Sequence, residues 1–274
     1  MAYGGLKVDS FHILAEKIQS LRQKKTGFIT NAFFNFNQLQ SMVEKEGTTV
    51  FNSNDSMFIL SEEPKLVRLY FYSASVNALK QITEILPPKV NKAIVADIVG
   101  KKQQVDMIAL KLCEFGFAKH KELFRMVRKP EQIHEKVSPD VVFATPNRCN
   151  EIYKMIYNTF DVYSEHLPTK EKILQAIDKN EIVIILHEDQ VIGFLYYEKI
   201  GGRLFYIYLV AVAEEFRGIG IADKLEKYPL ITHGKNHVFN LWVVKNNQRA
   251  INKHFRYNFR PDGLIDYILI YKGV

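Results

Sequence analysis

The chain has 274 residues, of which 47% are hydrophobic, and a net charge of +7. That is enough apolar material to bury a sizeable core in one or two domains. No apolar run approaches the roughly 18–20 residues of a membrane helix, and the lysines are scattered rather than gathered into the dense basic block of a nucleic-acid binder. The excess of positive charge still favours an anionic ligand or an acidic substrate. The first residues carry no basic-then-apolar secretory pattern. Cys113 and Cys149 fit neither a disulfide framework nor a metal site, so two buried reduced thiols in a cytoplasmic protein are expected.

In chain order, apolar positions Phe11, Leu14, Ile18 and Leu21 predict a helix over 11–24, stopped by Gly27. A strand over 66–75, a helix over 76–86, a strand over 93–99, a helix over 104–114 and a strand over 123–127 follow. The polar stretch 129–140, with Pro130 and Pro139, reads as a linker. It divides an amino-terminal α/β domain (1–137) from a carboxy-terminal domain (141–274).

The second half predicts a helix over 148–160, a loop over 161–168 and a helix over 169–178, with Thr169 as N-cap. Strands follow at 181–187 and 191–200, joined by a turn at Glu188-Asp189-Gln190. Gly201-Gly202 turns the chain into a strand over 203–212. The remaining elements are a helix over about 218–228, a strand over 238–244, a helix over 247–255 and a strand over 264–271. This order implies a mixed, mostly antiparallel sheet with flanking helices.

One run carries chemistry. Val210-Ala211-Val212 is the end of a strand, and Arg217-Gly218-Ile219-Gly220-Ile221-Ala222 is a turn that opens a helix. Glycines let the backbone approach a ligand where a Cβ would clash. The free N–H groups of the first helical turn, backed by the helix dipole, then suit a phosphate or pyrophosphate. A dinucleotide fingerprint is excluded: its third glycine position is Asp223, and the strand over 238–244 ends without an acidic residue. A nucleoside-triphosphate loop needs four residues between its glycines and then Lys-Ser/Thr, which this turn lacks. No residues group as a metal site; His233 and His237 are four apart but lie in a turn-like context.

These residues resemble the coenzyme A loop of the GNAT N-acetyltransferases, R/Q-x-x-G-x-G/A, with Arg217, Gly220 and Ala222 at its defining positions and Gly218 as an additional glycine. Asn247-Gln248-Arg249-Ala250-Ile251 is similar to the start of that family's second motif. The resemblance covers roughly 141–274. It implies a GNAT fold, acetyl-CoA as co-substrate, and acetyl transfer to a primary amine of a small molecule or peptide by direct attack in a ternary complex. It also implies that the backbone of Val210, Ala211 and Val212 aligns the pantetheine arm. The turn from Arg217 to Ala222, including Ile219 and Ile221, would hold the pyrophosphate, with Asn247 and Ala250 flanking the other side.

The chain departs from the family where a tyrosine commonly protonates the departing thiolate. His254 stands there, and Asn258-Phe259 replaces the glycine-phenylalanine pair. An imidazole with an ordinary pKa of about 6.5 can act as a general acid; a helix-surface residue is the other reading. Asn258 can adopt the left-handed conformation that glycine supplies. The strand over 203–212 has no carboxylate in its interior. Strict alternation would put Tyr206 and Tyr208 on one face with Val210 and Val212, where Tyr208 would order a water or touch the acceptor, or else serve as a sheet-face aromatic. Glu198, Glu165 and His166 are further candidates for the base. The missing tyrosine and strand carboxylate motivate a second reading, a catalytically silent coenzyme A sensor.

The first half reads as a worn copy of the second. Leu112-Cys113-Glu114-Phe115-Gly116-Phe117 parallels Phe255-Arg256-Tyr257-Asn258-Phe259. Strand, helix, strand and helix precede each, and an apolar strand follows each. No arginine-glycine loop separates the first strand of the first half from its helix, which implies a tandem whose first copy lost coenzyme binding. Convergent α/β patterning is the competing account.

Overall fold

The computed structural model describes residues 11–273. The side chain of Phe11, the first expected apolar position, lies outside the described residues. The elements are α1 (Phe11–Arg22), β1 (Ile29–Thr30), α2 (Phe36–Val43), β2 (Thr48–Asn52), β3 (Ser56–Glu62) and β4 (Val67–Ser73). A 3-10 helix (Asn77–Glu84), β5 (Lys89–Lys101), α3 (Lys102–Glu114) and β6 (Phe117–Arg128) follow. Then come β7 (Val141–Phe143), α4 (Cys149–Thr159), α5 (Lys170–Asp178), β8 (Ile182–His187), β9 (Gln190–Ile200) and β10 (Leu204–Val212). The chain closes with α6 (Ile221–His233), β11 (Val238–Val244), α7 (Gln248–Arg256) and β12 (Arg260–Gly273).

Two compact units result, one formed by the chain up to Leu123 together with Gly263–Val274, the other by Phe124–Asp262. In the first, the strand order is β2-β3-β4-β5-β12, with β1 also on β4. All pairs are antiparallel except β4 with β5. Alternate residues of β3 enter separate cores: Phe58 and Leu60 on one face, Met57 and Ile59 on the other. On the second face, α1 contributes Leu14, Ile18 and Leu21 at the expected helical spacing. Segment 31–62 holds elements that hydrophobic periodicity does not announce. Helix α2 starts with a capping box, in which the Asn35 side chain accepts from Gln38 N and the Gln38 side chain accepts from Asn35 N. Strand β3 is buried on both faces, so it lacks the polar-apolar alternation of a half-exposed strand.

The second unit orders its strands β7-β8-β9-β10-β11. Helices α6 and α7 pack their apolar residues Leu225, Leu230 and Ile251 on one face of this sheet with Phe205 and Phe239. Helices α4 and α5 pack Ile152, Ile156, Ile173 and Ile177 on the other, and Cys149 is buried with them, whereas Cys113 on α3 is exposed rather than buried as expected. The turn between β8 and β9 holds Glu188 and Asp189 at φ 47° and 62°, the left-handed pair that a tight hairpin requires. Thr169 caps α5 by accepting from Lys172 N. The stretch 129–140 contains no helix or strand, as expected, yet it is tied down. Glu131 N donates to Gly234 O, Asn258 Nδ2 donates to the Glu131 carboxylate, and Lys227 and Lys224 pair with Glu135 and Asp140. The division between units falls before this stretch, within β6.

The chain is a tandem of two α/β units built to one plan. Along the chain each repeat runs through an antiparallel pair, a helical crossover, a parallel strand, then a helix and a strand: β3, β4, the 3-10 helix, β5, α3 and β6 in the first repeat, and β9, β10, α6, β11, α7 and β12 in the second. The two helices stop alike, at Gly116 with φ 88° and Asn258 with φ 61°. The last strand of the second repeat, however, pairs with β5 over Leu264–Gly273 and belongs to the first unit.

Close approach of α6 to the sheet rests on Gly193. A Cβ there would lie 2.9 Å from Ile221 Cγ2, 3.1 Å from Leu225 Cδ1 and 3.2 Å from Ala211 O. Gly193→Ala is therefore expected to destabilise the protein by about 1–3 kcal/mol through overpacking. Urea unfolding measures this, and an unchanged midpoint would show that α6 does not need the contact.

Candidate functional site

The site begins with an interrupted ladder. Strand β10 pairs in parallel with β11 at Leu204↔Val238, Phe205↔Phe239 and Tyr206↔Asn240. On its other edge β10 stays paired with β9 as far as Val212↔Gly193, but the register slips between Ile207 and Leu209. Tyr208 is the extra residue, a β-bulge that bends the strand and raises its twist. Beyond it, the β11-facing edge of Val210–Val212 has no strand partner.

The bulge also reverses the expected alternation. Tyr208 packs with Leu209 and Ala211 against the α4–α5 face, whereas Val210 and Val212 face α6 and α7. Tyr208 therefore does not share a face with Val210 and Val212; the inserted residue shifts every later side chain by one.

After β10 the chain makes a short 3-10 turn (Glu214–Phe216) and Arg217 Nε donates to Val212 O at 3.1 Å. Gly218 and Gly220 both sit at φ 88°, which L side chains rarely adopt. A Cβ at either would meet no protein atom within 4 Å. Backbone conformation thus demands glycine here, and the space above both is open. Gly220 is the N-cap of α6 and supplies no side-chain cap to the N–H groups of the first turn. Those groups, with the positive end of the helix dipole, suit an anion.

The turn, the free edge of β10 and α7 enclose a cleft of about 450 Å³. Val210, Ala211, Val212, Arg217, Gly218, Gly220, Ile221, Ala222, Asn247 and Ala250 all line it. Ile219 does not line it; its side chain is 69% exposed at the tip of the turn. Asn247 caps α7, its Oδ1 accepting from Ala250 N at 3.1 Å. The two motifs assign no role to Arg249, Lys253 and Arg256, yet their spacing on α7 puts three cations along one side of the cleft. With Arg217 they outweigh the one acidic lining residue, Asp223. Open glycine positions, uncapped N–H groups and surplus cations fit the pyrophosphate and phosphate of coenzyme A.

His254 and Tyr208, the expected catalytic pair, are not brought together and neither lines the cleft. His254 is buried, 7% exposed, edge-on to Phe259. Burial, then the nearby Lys253 ammonium, pull its imidazole down to about 4. Its Nδ1 makes no hydrogen bond and lies 3.8 Å from Glu226 Oε2. Glu226 is 1% exposed and its other oxygen accepts from Lys253 Nζ at 2.6 Å. On the opposite face, the Tyr208 hydroxyl donates to His166 O, which ties the 161–168 loop to β10. Burial raises the Tyr208 phenol well above its ordinary pKa. Tyr196 and Tyr206 flank it at ring separations of 5.2 and 5.5 Å, and Tyr196 donates to Glu198 at 2.6 Å.

Residues 149–259 match the acetyltransferase (GNAT) family as a GNAT domain. The fold likeness extends over most of the chain. A GCN5-related N-acetyltransferase from Sphaerobacter thermophilus superposes with a TM-score of 0.56 at 13% identity, covering 88% of each chain. A GNAT-family acetyltransferase from Colwellia psychrerythraea gives 0.55 at 11% identity over 96% of this chain and 97% of that one. A tandem GNAT protein from the clavulanic acid biosynthesis pathway gives 0.52 at 10% identity over 83% and 84%. Among curated proteins none matches the sequence.

The buried imidazole has a measurable consequence. A histidine whose folded pKa is depressed to about 4 contributes stability that is full above its ordinary value of about 6.5 and is lost as pH falls through that window. Between pH 7 and pH 4 the wild-type protein is expected to lose about 3 kcal/mol more unfolding free energy than His254→Phe. Urea titrations of both proteins at the two pH values test this, and parallel losses would remove the imidazole from the acid response.

Proposed function

We propose that the carboxy-terminal half is an N-acetyltransferase that moves an acetyl group from acetyl-CoA to a primary amine by direct attack in a ternary complex. The observation that carries this reading is the pair of left-handed glycines opening onto a cationic cleft beside the unpaired edge of β10. Bound acetyl-CoA supplies an activated thioester. The N–H groups of the Gly218–Ala222 turn hold its pyrophosphate, and Arg217, Arg249, Lys253 and Arg256 balance its charge. Backbone groups of Val210 and Val212 align the pantetheine arm as an added strand would be aligned, with Asn247 and Ala250 on the far side. Positioning and a strand N–H aimed at the developing oxyanion supply much of the rate.

The acceptor amine approaches from the bulge. There Tyr208 fixes the loop that carries Glu165 and His166, and Glu198, held by Tyr196, is the carboxylate that takes the proton. Small amines, amino acids, polyamines and protein lysines all satisfy this chemistry. His254 lies off the cleft and is neutral near pH 7, so in the ligand-free protein it has no imidazolium proton for a thiolate. The first unit, with no glycine turn between β4 and β5, acts as a scaffold in this reading.

One observation favours a second reading, a coenzyme A sensor without turnover: β10 carries no carboxylate in its interior and His254 is set back from the cleft. Release of free thiol from acetyl-CoA across a panel of amines, amino acids and lysine peptides separates the two. Turnover on any of them supports the enzyme, and coenzyme binding with none supports the sensor. Gly220→Trp projects a bulky side chain into the open space of the turn and is expected to weaken coenzyme A binding at least about tenfold, about 1.4 kcal/mol. Folded-state strain should be limited to about 1–2 kcal/mol. Unchanged affinity in calorimetry would remove the turn from the site.

A further inference from the structure

Beside the cleft, behind Lys253, lie two buried titratable groups that the transfer reaction does not use. Glu226 on α6 is 1% exposed. Its Oε1 accepts from Lys253 Nζ at 2.6 Å, and its Oε2 has no hydrogen-bond partner. Facing Oε2 at 3.8 Å is Nδ1 of His254, itself buried and without a partner. A buried polar atom left without a partner costs stability, and here two complementary ones face each other just beyond hydrogen-bond reach. One proton would satisfy both. Lys253 makes it unnecessary, because the ammonium already balances the carboxylate. Lys253 is also a lining residue of the cleft, so it is the one member of the group that an anionic ligand can reach.

Resting on the coenzyme reading above, we propose that the phosphates of the donor draw Lys253 away from Glu226, and that the Glu226–His254 pair then takes up one proton from solvent. Charge balances at both stages. Before binding, ammonium is paired with carboxylate and the imidazole is neutral. Afterwards the ammonium faces phosphate, and the proton lies between Nδ1 and Oε2. The other titratable groups that act on the pair favour or tolerate this. Asp223, on α6, pushes the Glu226 carboxyl toward its protonated form, and Tyr257, on the α7 side, is a phenol held neutral by burial and by its hydrogen bond to Asp223. Burial raises the Glu226 carboxyl, opposed chiefly by Lys253, so loss of that ammonium removes the main force that keeps the pair unprotonated. His254 thereby becomes charged only when the donor is in place. It acts on the site as a positioning and charge-storing residue behind Lys253, and the coenzyme arms it.

Calorimetry of coenzyme A binding at pH 7 in buffers of different ionisation enthalpy measures the proton directly. Wild type is expected to take up about one proton more than Glu226→Gln, a difference that cancels ionisation of the ligand's own phosphate near pH 6. Equal uptake by two proteins that both bind would overturn the proposal. Lys253→Met provides an arm that needs no ligand. In that variant the His254 imidazole, followed by NMR, is expected to titrate near its ordinary value of about 6.5 or above, instead of about 4. A titration still near 4 would overturn the proposal even where Glu226→Gln fails to fold. Failure of wild type to bind coenzyme A would instead sink the coenzyme reading, with the Lys253→Met titration still deciding the behaviour of the pair.

Discussion

The site depends on two parallel strands that cannot remain paired. Three residue pairs join β10 to β11, and the ladder then ends. The bulge at Tyr208 explains why: an inserted residue bends β10 while its other edge stays bonded to β9. Unsatisfied backbone groups in a protein interior are costly, so a free strand edge that is not filled by a neighbour must face water or a ligand. Everything placed around the cleft follows from that edge. The glycine turn caps its outer end, α7 forms its far wall, and the charges of α7 face the space between.

The two faces of β10 divide the chemistry. The same bulge turns Val210 and Val212 toward α6 and α7, and Tyr208 toward α4, α5 and the 161–168 loop. In the proposed reaction, the donor lies along the α6–α7 side of this strand and the acceptor enters from the α4–α5 side. A tyrosine that straightforward alternation would put on one face with Val210 and Val212 is parted from them by a single inserted residue.

This explains which features were legible in the sequence. The glycine turn announces itself because left-handed φ values restrict residue type, and a cap such as Asn247 or Thr169 announces itself by side-chain chemistry. Hydrophobic periodicity located α1 and the β8–β12 succession for the same reason. The bulge has no residue code, so the facing of Tyr208 was not readable. His254 stands where the motif wants an acid, but its burial comes from Glu226 and Phe259, which are 28 and 5 positions away in sequence and meet it only in the fold. Segment 31–62 was passed over because strand β3 is buried on both faces. The pairing of β12 with β5 was equally hidden, since strand order is a long-range property.

The first unit shows that topology alone does not make such a site. It too has a parallel pair that ends early, at Arg68↔Val95. Its crossover, however, is a short 3-10 helix with no left-handed glycine, and Leu79 and Ile82 from that helix are fully buried in one core with Phe71, Ala96 and Ile98. Arg68, on the strand that corresponds to β10, is buried against Asp97 and Glu63 rather than presented to a cleft. In the second unit the crossover begins with two left-handed glycines and a full helix, and no protein atom lies within 4 Å of where a Cβ at either glycine would stand. The difference between the repeats is therefore local: apolar side chains fill the divergence of the strands in one, and in the other a turn without side chains, ringed by cations, leaves it open to an anion.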